Sequence, residues 1–383
     1  MIAVGKIHLV AGYTASLVAF RGPLIVALTR AGYFLEAYGP EPLALHDEKF
    51  LNALGVVFHR APVDRAGANP FSDLRYALSL YMVLRKDTPQ RLLAYTAKPV
   101  IYGILVAWAA RVPLRYALIT GVGYALMGDR KGLITRAVTG LYRFSLSRAT
   151  KVFFQNPDDE RLFRQQGILA ASVPSVIVNG SGVDVASYAF RPIPAQAQVF
   201  LMIGRLLGDK GVREFAAAAR RIKNSAPYVR FHLVGWIDSN PDSIKQGELD
   251  AWIADGTLEF LGKLDDVRPA IADSTVYVLP SYREGTPRTV LEAMAIGRPV
   301  ITTDAPGCRE TVIDGENGFL VPVKSVDALV EAMLKFIDDP TLAPRMGKRS
   351  REIAEEKYDV HKVNAVMLRE MGIIPGGEEN THA

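Results

Sequence analysis

Short apolar runs alternate with helical stretches along almost the whole chain, and no other feature of the sequence narrows its folding so far. In the first half the runs fall at 6–10, 34–38, 56–58, 92–95, 115–119, 152–155 and 176–179, with helices expected at about 16–31, 47–54 and 71–86. The second half repeats the pattern at 199–203, 230–234, 258–260, 276–279, 299–302 and 318–321. Helices are expected there at 325–338 and 342–357, with a last one at 358–371. Such alternation predicts an α/β chain with doubly wound parallel sheets, because parallel strands need helical crossovers.

A chain of 383 residues has room for two domains of ordinary size, each burying its own core. The boundary is expected between 180 and 198, where Asn179-Gly180-Ser181-Gly182-Val183-Asp184 gives way to Arg191-Pro192-Ile193-Pro194. Glycine followed by proline-rich sequence is linker composition, and it can also serve as a hinge. The expected organisation is an N-terminal domain over 1–185, a second over 196–357, and a closing helix at 358–371. The tail from Pro375 is expected to be disordered.

Composition excludes several classes. Cys308 is the only cysteine, so no disulfide forms within the chain and a reducing compartment suits it. With His361 far along the sequence as its nearest histidine, Cys308 reads as a small buried side chain beside Pro306-Gly307. Residues 1–190 hold 21 Lys and Arg against 12 Asp and Glu, whereas the remainder holds 24 against 28. A basic first half and a mildly acidic second half imply an anionic partner for the first half. Nucleic acid is not expected, since the basic residues are scattered through apolar helices rather than interleaved with aromatics. No run reaches the roughly 18 apolar residues of a spanning helix. The 7–20 stretch lacks the cleavage pattern of a signal peptide and leads into a further helical run. Without an Asp-x-Asp triplet or ligand spacing among the six histidines, no metal is expected.

Two carboxylates eight residues apart, Glu284 and Glu292, follow the apolar run at 276–279, with Gly285-Thr286-Pro287-Arg288 between them opening a helix. Proline suits the first helical position, where its missing N–H would be unsatisfied anyway. The helix's free amides and positive dipole end would then face the loop and favour phosphate oxygens. Eight helical residues advance roughly 12 Å, about the reach from the sugar of a nucleotide sugar to its ribose. The plainer reading is a pair of solvated surface glutamates. A second cluster weighs against it: Gly204-Arg205-Leu206-Leu207-Gly208-Asp209-Lys210-Gly211 follows the run at 199–203. Gly204 is expected to let the backbone turn tightly, while Arg205 and Lys210 supply a forked donor and a mobile point charge suited to a diphosphate. Both clusters follow strands of one sheet, where open parallel sheets bind ligands.

On these residues the chain resembles the retaining GT-B glycosyltransferases of family 4. The match rests on Gly204-Arg205-Leu206 with Lys210-Gly211, Glu284-Gly285 with Glu292-Ala293-Met294-Ala295, Gly297-Arg298-Pro299-Val300 and Asn317-Gly318-Phe319-Leu320-Val321. The resemblance implies two Rossmann-like doubly wound domains facing an interdomain cleft, with a nucleotide-sugar donor on the second domain. It also implies that Arg205 and Lys210 bind the leaving diphosphate, Glu284 the transferred sugar and Glu292 the ribose. Gly204, Gly285, Thr286, Pro287 and Arg288 would complete the donor site.

In the first half, Phe20-Arg21-Gly22-Pro23-Leu24-Ile25, Tyr95-Thr96-Ala97-Lys98-Pro99, Ile119-Thr120-Gly121-Val122-Gly123-Tyr124 and Phe153-Phe154-Gln155-Asn156-Pro157-Asp158 narrow the resemblance. They are similar to the bacterial branch acting on undecaprenyl-diphosphate-linked sugars, including N-acetylgalactosaminyltransferases for the bacillosamine-linked lipid. A polyprenyl-diphosphate-linked sugar would be the acceptor and UDP-linked hexose or N-acetylhexosamine the donor. Candidate acceptor contacts are Thr14, Ser16, Arg21, Lys98, Thr120 and Gly121. The plainer readings are a helix cap for Ser16, a helix-face salt bridge for Arg21, a turn charge for Lys98 and an ordinary glycine turn at Gly121. Relatives acting on inositol carry a histidine near the Thr120-Gly121 turn; this chain has none there. The basic amphipathic stretch 131–151 is expected to lie on an anionic membrane surface, which places the protein peripherally on the cytoplasmic face of the bacterial inner membrane. Two rival readings are a UDP-N-acetylglucosamine 2-epimerase of the same architecture, which needs no lipid, and an inactive nucleotide-binding scaffold.

Overall fold

The computed structural model describes residues 4–62, 69–122, 133–195, 198–238 and 240–374, with 133 and 134 described by their backbone alone. Gly123, Tyr124, Arg130, Lys131 and the tail from Pro375 lie outside the described residues. The chain divides into two compact units, Met1–Ser181 with His361–Ala383, and Gly182–Val360.

The first unit is built on seven strands: β1 (Gly5–Ala11), β2 (Tyr33–Gly39), β3 (Val57–Arg60), β4 (Arg91–Tyr95), β5 (Leu114–Ile119), β6 (Lys151–Phe154) and β7 (Ser175–Ile177). They run parallel in the order β3-β2-β1-β4-β5-β6-β7. The second unit has β8 (Val199–Arg205), β9 (Arg230–Trp236), β10 (Glu259–Phe260), β11 (Val276–Leu279), β12 (Val300–Thr303) and β13 (Gly318–Val321), parallel in the order β10-β9-β8-β11-β12-β13. Each order reverses direction once, between β1 and β4 and between β8 and β11. Crossover connections leave in opposite senses at that point and open a crevice at the strands' carboxyl ends.

Helices on both faces explain why the strand sequences are continuously apolar rather than alternating. In β8, Phe200, Leu201 and Met202 are fully buried. The first sheet buries Leu92, Ala94 and Ala117 on one face and Ile7, Leu9 and Leu93 on the other. From His361 onward the Val360–Glu370 helix belongs to the first unit, where Met367, Leu368 and Met371 join the second of these clusters. Its end is fastened by Tyr116 Oη donating to Met371 O at 3.0 Å and by the Lys151–Glu370 ion pair at 2.7 Å.

Three expected elements differ in detail. The helix expected over 16–31 is two, Ser16–Ala19 and Gly22–Arg30. Pro23 has no N–H to give the carbonyl four residues back, so one helix cannot run through it. The helix expected to 357 ends as an α-helix at Ile353 and closes with a wider turn over Ala354–Tyr358. The Arg288–Ile296 helix starts one residue later than expected, and Pro287 is its N-cap in extended conformation, φ −72° and ψ 108°. Among the described residues no helix is long and apolar enough to cross a membrane.

Candidate active site

The second unit gathers most of the expected site at the carboxyl ends of β8 and β11. After β8 the chain makes a tight turn over Gly208–Lys210 and enters the Val212–Ser225 helix through Gly211, whose φ is +76°. A Cβ on Gly211 would lie 2.2 Å from Pro280 O, so only glycine lets this turn close on the segment after β11. Tyr282 N donates to Asp209 O at 2.8 Å across the seam. With the turn so placed, Lys210 Nζ donates to the Glu284 carboxylate.

Glu284 is held from the other side as well. Its N–H donates to Pro306 O at 2.9 Å, and Gly307 packs beneath it at φ +81°. Gly285 and Thr286 complete the loop to Pro287, and the positive end of the Arg288–Ile296 helix stands directly behind it. Only the part of the Glu284–Glu292 spacing from Arg288 onward is helical, because the Gly285-Thr286-Pro287 link is not. Tyr277 Oη donates to Ile203 O at 3.1 Å and lies 2.6 Å from Thr289 Oγ1, which ties the start of that helix to β8 and β11.

Arg205 takes a different partner. Its Nη1 donates to Asp238 Oδ2 at 3.1 Å beyond the end of β9, and the side chain is substantially exposed. Of the two expected cations, the structure therefore brings Lys210 to Glu284 and gives Arg205 to Asp238. Asp209 lies within electrostatic reach of Lys210, Glu284 and Arg205; burial pushes its carboxyl above the ordinary value. Gly204 is extended within β8 rather than turned, paired in register with Gly235. A Cβ at Gly204 would meet nothing within 4 Å, so the strand end is open there.

Glu292 is 6 % exposed, and burial raises its carboxyl above the ordinary range. It accepts from Arg288 Nε at 2.9 Å and from Tyr188 Oη at 3.0 Å. Tyr188 had no signal in the sequence, since it stands 104 residues away in the segment after Gly182.

The six candidates of the first half all belong to the first unit. Thr14 is buried against the turn after β2: its N–H donates to Glu41 Oε2 and its hydroxyl to Glu41 O, each at 2.8 Å. Ser16 caps no helix; Ala15 is the N-cap, while the Ser16 hydroxyl donates to Tyr13 O and lies 3.1 Å from Tyr95 Oη. Arg21 is 4 % exposed, with its guanidinium 5.5 Å from the Tyr95 ring centre. Burial pushes the Tyr95 hydroxyl up to about 12. Lys98 pairs with Asp73 at 2.6 Å, and Tyr102 Oη donates to the other oxygen of that carboxylate at 2.9 Å. Thr120 and Gly121 follow β5, Gly121 at φ +145°. Tyr95, Asp73 and Glu41 are the partners that spacing did not single out. Cys308 is fully buried, its thiol pushed up to about 12 by burial.

Strand register also assembles a group that histidine spacing did not predict. His8 and Glu36 are opposite each other on β1 and β2, and with Asp87 they offer metal-capable atoms within 4.8 Å of one another. The Glu36 carboxylate is already engaged by Lys6 at 3.0 Å and by Tyr38 and His59 at 2.8 Å each. These three donors serve Glu36, whereas neither ring nitrogen of buried His8 makes a hydrogen bond among the described residues.

Two sequence families cover the two units. The Glycosyl transferase 4-like domain matches residues 19–180, and Glycosyl transferases group 1 matches residues 197–339. The chain is therefore a glycosyltransferase of the GT-B, family-4 kind, with one family domain in each Rossmann-like unit. A more particular likeness is to the N,N′-diacetylbacillosaminyl-diphospho-undecaprenol alpha-1,3-N-acetylgalactosaminyltransferase of Campylobacter jejuni, 28% identical over 90% of this chain and 92% of that one. The UDP-Gal:alpha-D-GlcNAc-diphosphoundecaprenol alpha-1,3-galactosyltransferase of Escherichia coli is 27% identical over 70% of this chain and 72% of its own length. Among solved structures, Anabaena Alr3699/HepE in complex with UDP superposes with a TM-score of 0.76 over 96% of this chain and 100% of that one, at 18% identity.

Proposed function

We propose that this glycosyltransferase moves a hexose or N-acetylhexosamine from a UDP-sugar to an undecaprenyl-diphosphate-linked sugar during assembly of a bacterial surface glycan, with retention at the anomeric carbon. The observation that carries the reading is the Lys210–Glu284 contact in front of the Arg288–Ile296 helix end. An ammonium and a carboxylate held together there match the two needs of a nucleotide sugar: a cation for diphosphate and an acceptor for sugar hydroxyls. The Campylobacter and Escherichia relatives, whose names specify diphosphoundecaprenol-linked acceptors, support the acceptor class.

In this scheme the bond between the sugar's anomeric carbon and the diphosphate oxygen breaks, and an acceptor hydroxyl oxygen bonds that carbon from the same face. The hydroxyl proton passes to the leaving phosphate oxygen, so no enzymatic nucleophile is needed. Negative charge grows on the diphosphate as the bond opens. Lys210 and the helix end meet that charge more strongly in the transition state than before it, which accelerates the step. Glu284 receives sugar hydroxyls, Glu292 the ribose, and Arg205 approaches the diphosphate by exchanging Asp238 for it. The scheme uses no metal.

Peripheral attachment to an anionic membrane is part of the proposal. The Pro70–Asp87 helix exposes Phe71, Leu74, Leu78 and Met82 beside exposed Arg75, Arg85 and Lys86. Leu141 and Phe144 are exposed on the Leu133–Leu146 helix, with Arg148 over Trp108 and Phe144. Apolar residues bordered by cations suit a bilayer interface. Sedimentation with vesicles of anionic lipid, but not with neutral ones, is the expected result. The reaction is tested by release of UDP that depends on the lipid acceptor; unchanged turnover in Glu284→Ala would remove the site assignment.

A further inference from the structure

We infer that Tyr188 is a positioning residue for the donor: its hydroxyl and Arg288 both occupy Glu292 Oε1, which leaves Oε2 as the acceptor presented to the ribose. This rests on the proposed placing of ribose at Glu292. Tyr188 Oη and Arg288 Nε reach the same oxygen, at 3.0 Å and 2.9 Å. One carboxylate oxygen has two lone-pair directions, so two donors saturate it. Among the described residues nothing donates to Oε2, although the side chain is almost wholly buried. A buried carboxylate with one oxygen saturated and the other open is fixed in orientation and aims its remaining acceptor capacity one way.

The tyrosine is itself held in place. Arg351 Nη1 donates to Tyr188 O at 2.9 Å and also to Ala295 O at 2.6 Å, near the end of the helix that bears Glu292. Upstream, Asp184 Oδ1 accepts from Ala186 N and Ser187 N at 3.0 Å each. The hydroxyl thus reaches Glu292 from a backbone pinned to the same helix, and the contact needs little ordering when ligand arrives. Burial and the nearby Glu292 charge raise the Tyr188 hydroxyl above its ordinary value, so it stays a donor at neutral pH. The groups that bear on Glu292 are Tyr188, Arg288 on its own helix, and Asp266 after β10; Arg268 lies against Tyr188, and Tyr277 on β11 feels the Glu292 charge.

Calorimetric binding of UDP and of 2′,3′-dideoxy-UDP isolates the hydroxyl contribution whatever sugar the enzyme transfers. The unmutated protein is expected to prefer UDP by about tenfold or more, and Tyr188→Phe to reduce that preference by roughly three- to tenfold while dideoxy-UDP binds as before. Because Tyr188 donates to the charged carboxylate, the preference in Tyr188→Phe is also expected to disappear at a higher pH on acidification. A full preference with an unmoved pH limb in Tyr188→Phe overturns the positioning role while the donor reading stands. A full preference in Glu292→Ala, or no UDP binding by the unmutated protein, overturns the donor reading and this inference with it.

Discussion

Replacing Gly307 by alanine tests how finely the Glu284 loop must be placed. At this position φ is +81°, and an added Cβ would lie 2.1 Å from Glu284 O and 2.6 Å from Gly285 O. To restore even a 3.0 Å separation the Glu284–Gly285 backbone must retreat by roughly 1 Å, since both atoms in conflict belong to main chain. A left-handed alanine costs about 1–2 kcal/mol, and the overlap adds about 1–3 kcal/mol. The melting transition of the second unit is therefore expected to fall by roughly 5–15 °C. A displacement of about 1 Å at a catalytic group is expected to lower kcat by roughly a hundredfold. Gly315→Ala supplies the control: φ is +79° there, but an added Cβ meets nothing within 4 Å. It should share the conformational cost, lose melting temperature modestly and keep its turnover. Steady-state UDP release with lipid acceptor, measured beside thermal melts, separates the two variants. If Gly307→Ala behaves like Gly315→Ala in both assays, the idea that turnover depends on this loop position is wrong.

Other substitutions probe separate parts of the structure. Lys210→Met removes the cation in front of the helix end and is expected to lower kcat by roughly 10²–10³-fold, read from single-turnover rates at saturating donor; a loss below threefold removes Lys210 from the leaving-group site. Arg298 is fully buried, with burial lowering its guanidinium to about 10, and it donates to Ser274 O at 2.8 Å, Pro192 O at 3.0 Å and also Arg191 O. Arg298→Met strands those carbonyls, offset in part by relief of charge burial, so about 2–4 kcal/mol of stability should be lost in denaturant titrations; less than about 1 kcal/mol refutes this. In the first unit, burial holds His8 near 4, below the ordinary 6.5. The unfolded chain binds that proton first, so stability is lost as pH falls from 6.5 towards 4, by about 3 kcal/mol in all, and His8→Leu should flatten that limb. Glu36 acts lower on the scale: burial pushes it up, but hydrogen bonds from Lys6 and Tyr38 outweigh this and hold it near 2. Its contribution is present above 4.5 and lost as pH falls towards 2, and Lys6→Met should shift that loss to higher pH.

The parts legible in the sequence are those written in consecutive residues. Continuous apolar runs such as Val276–Leu279 disclosed strands because both faces of a parallel sheet are buried. Glu284, Glu292 and Lys210 stood out because strand ends and helix starts are local events. Tertiary partnerships were not legible. Nothing near Glu292 announces Tyr188, 104 residues away, and nothing near Arg205 announces Asp238, which reaches it through the parallel pairing of β8 with β9. His8, Glu36 and His59 meet through strand register, which no spacing rule for metal ligands would count. Pro23 is a different case. Its effect on the first helix followed from its missing amide, and the apolar run around it masked the break.

The contact between Lys210 and Glu284 has a consequence for selectivity. An inorganic anion that drew the ammonium to itself would abandon a carboxylate that is mostly shielded from water, so part of its attraction would be cancelled at once. A molecule bearing phosphate at one point and hydroxyls at another relieves both members together. On the proposed donor placement, the resting pair would act as a filter that favours bifunctional guests over simple phosphates.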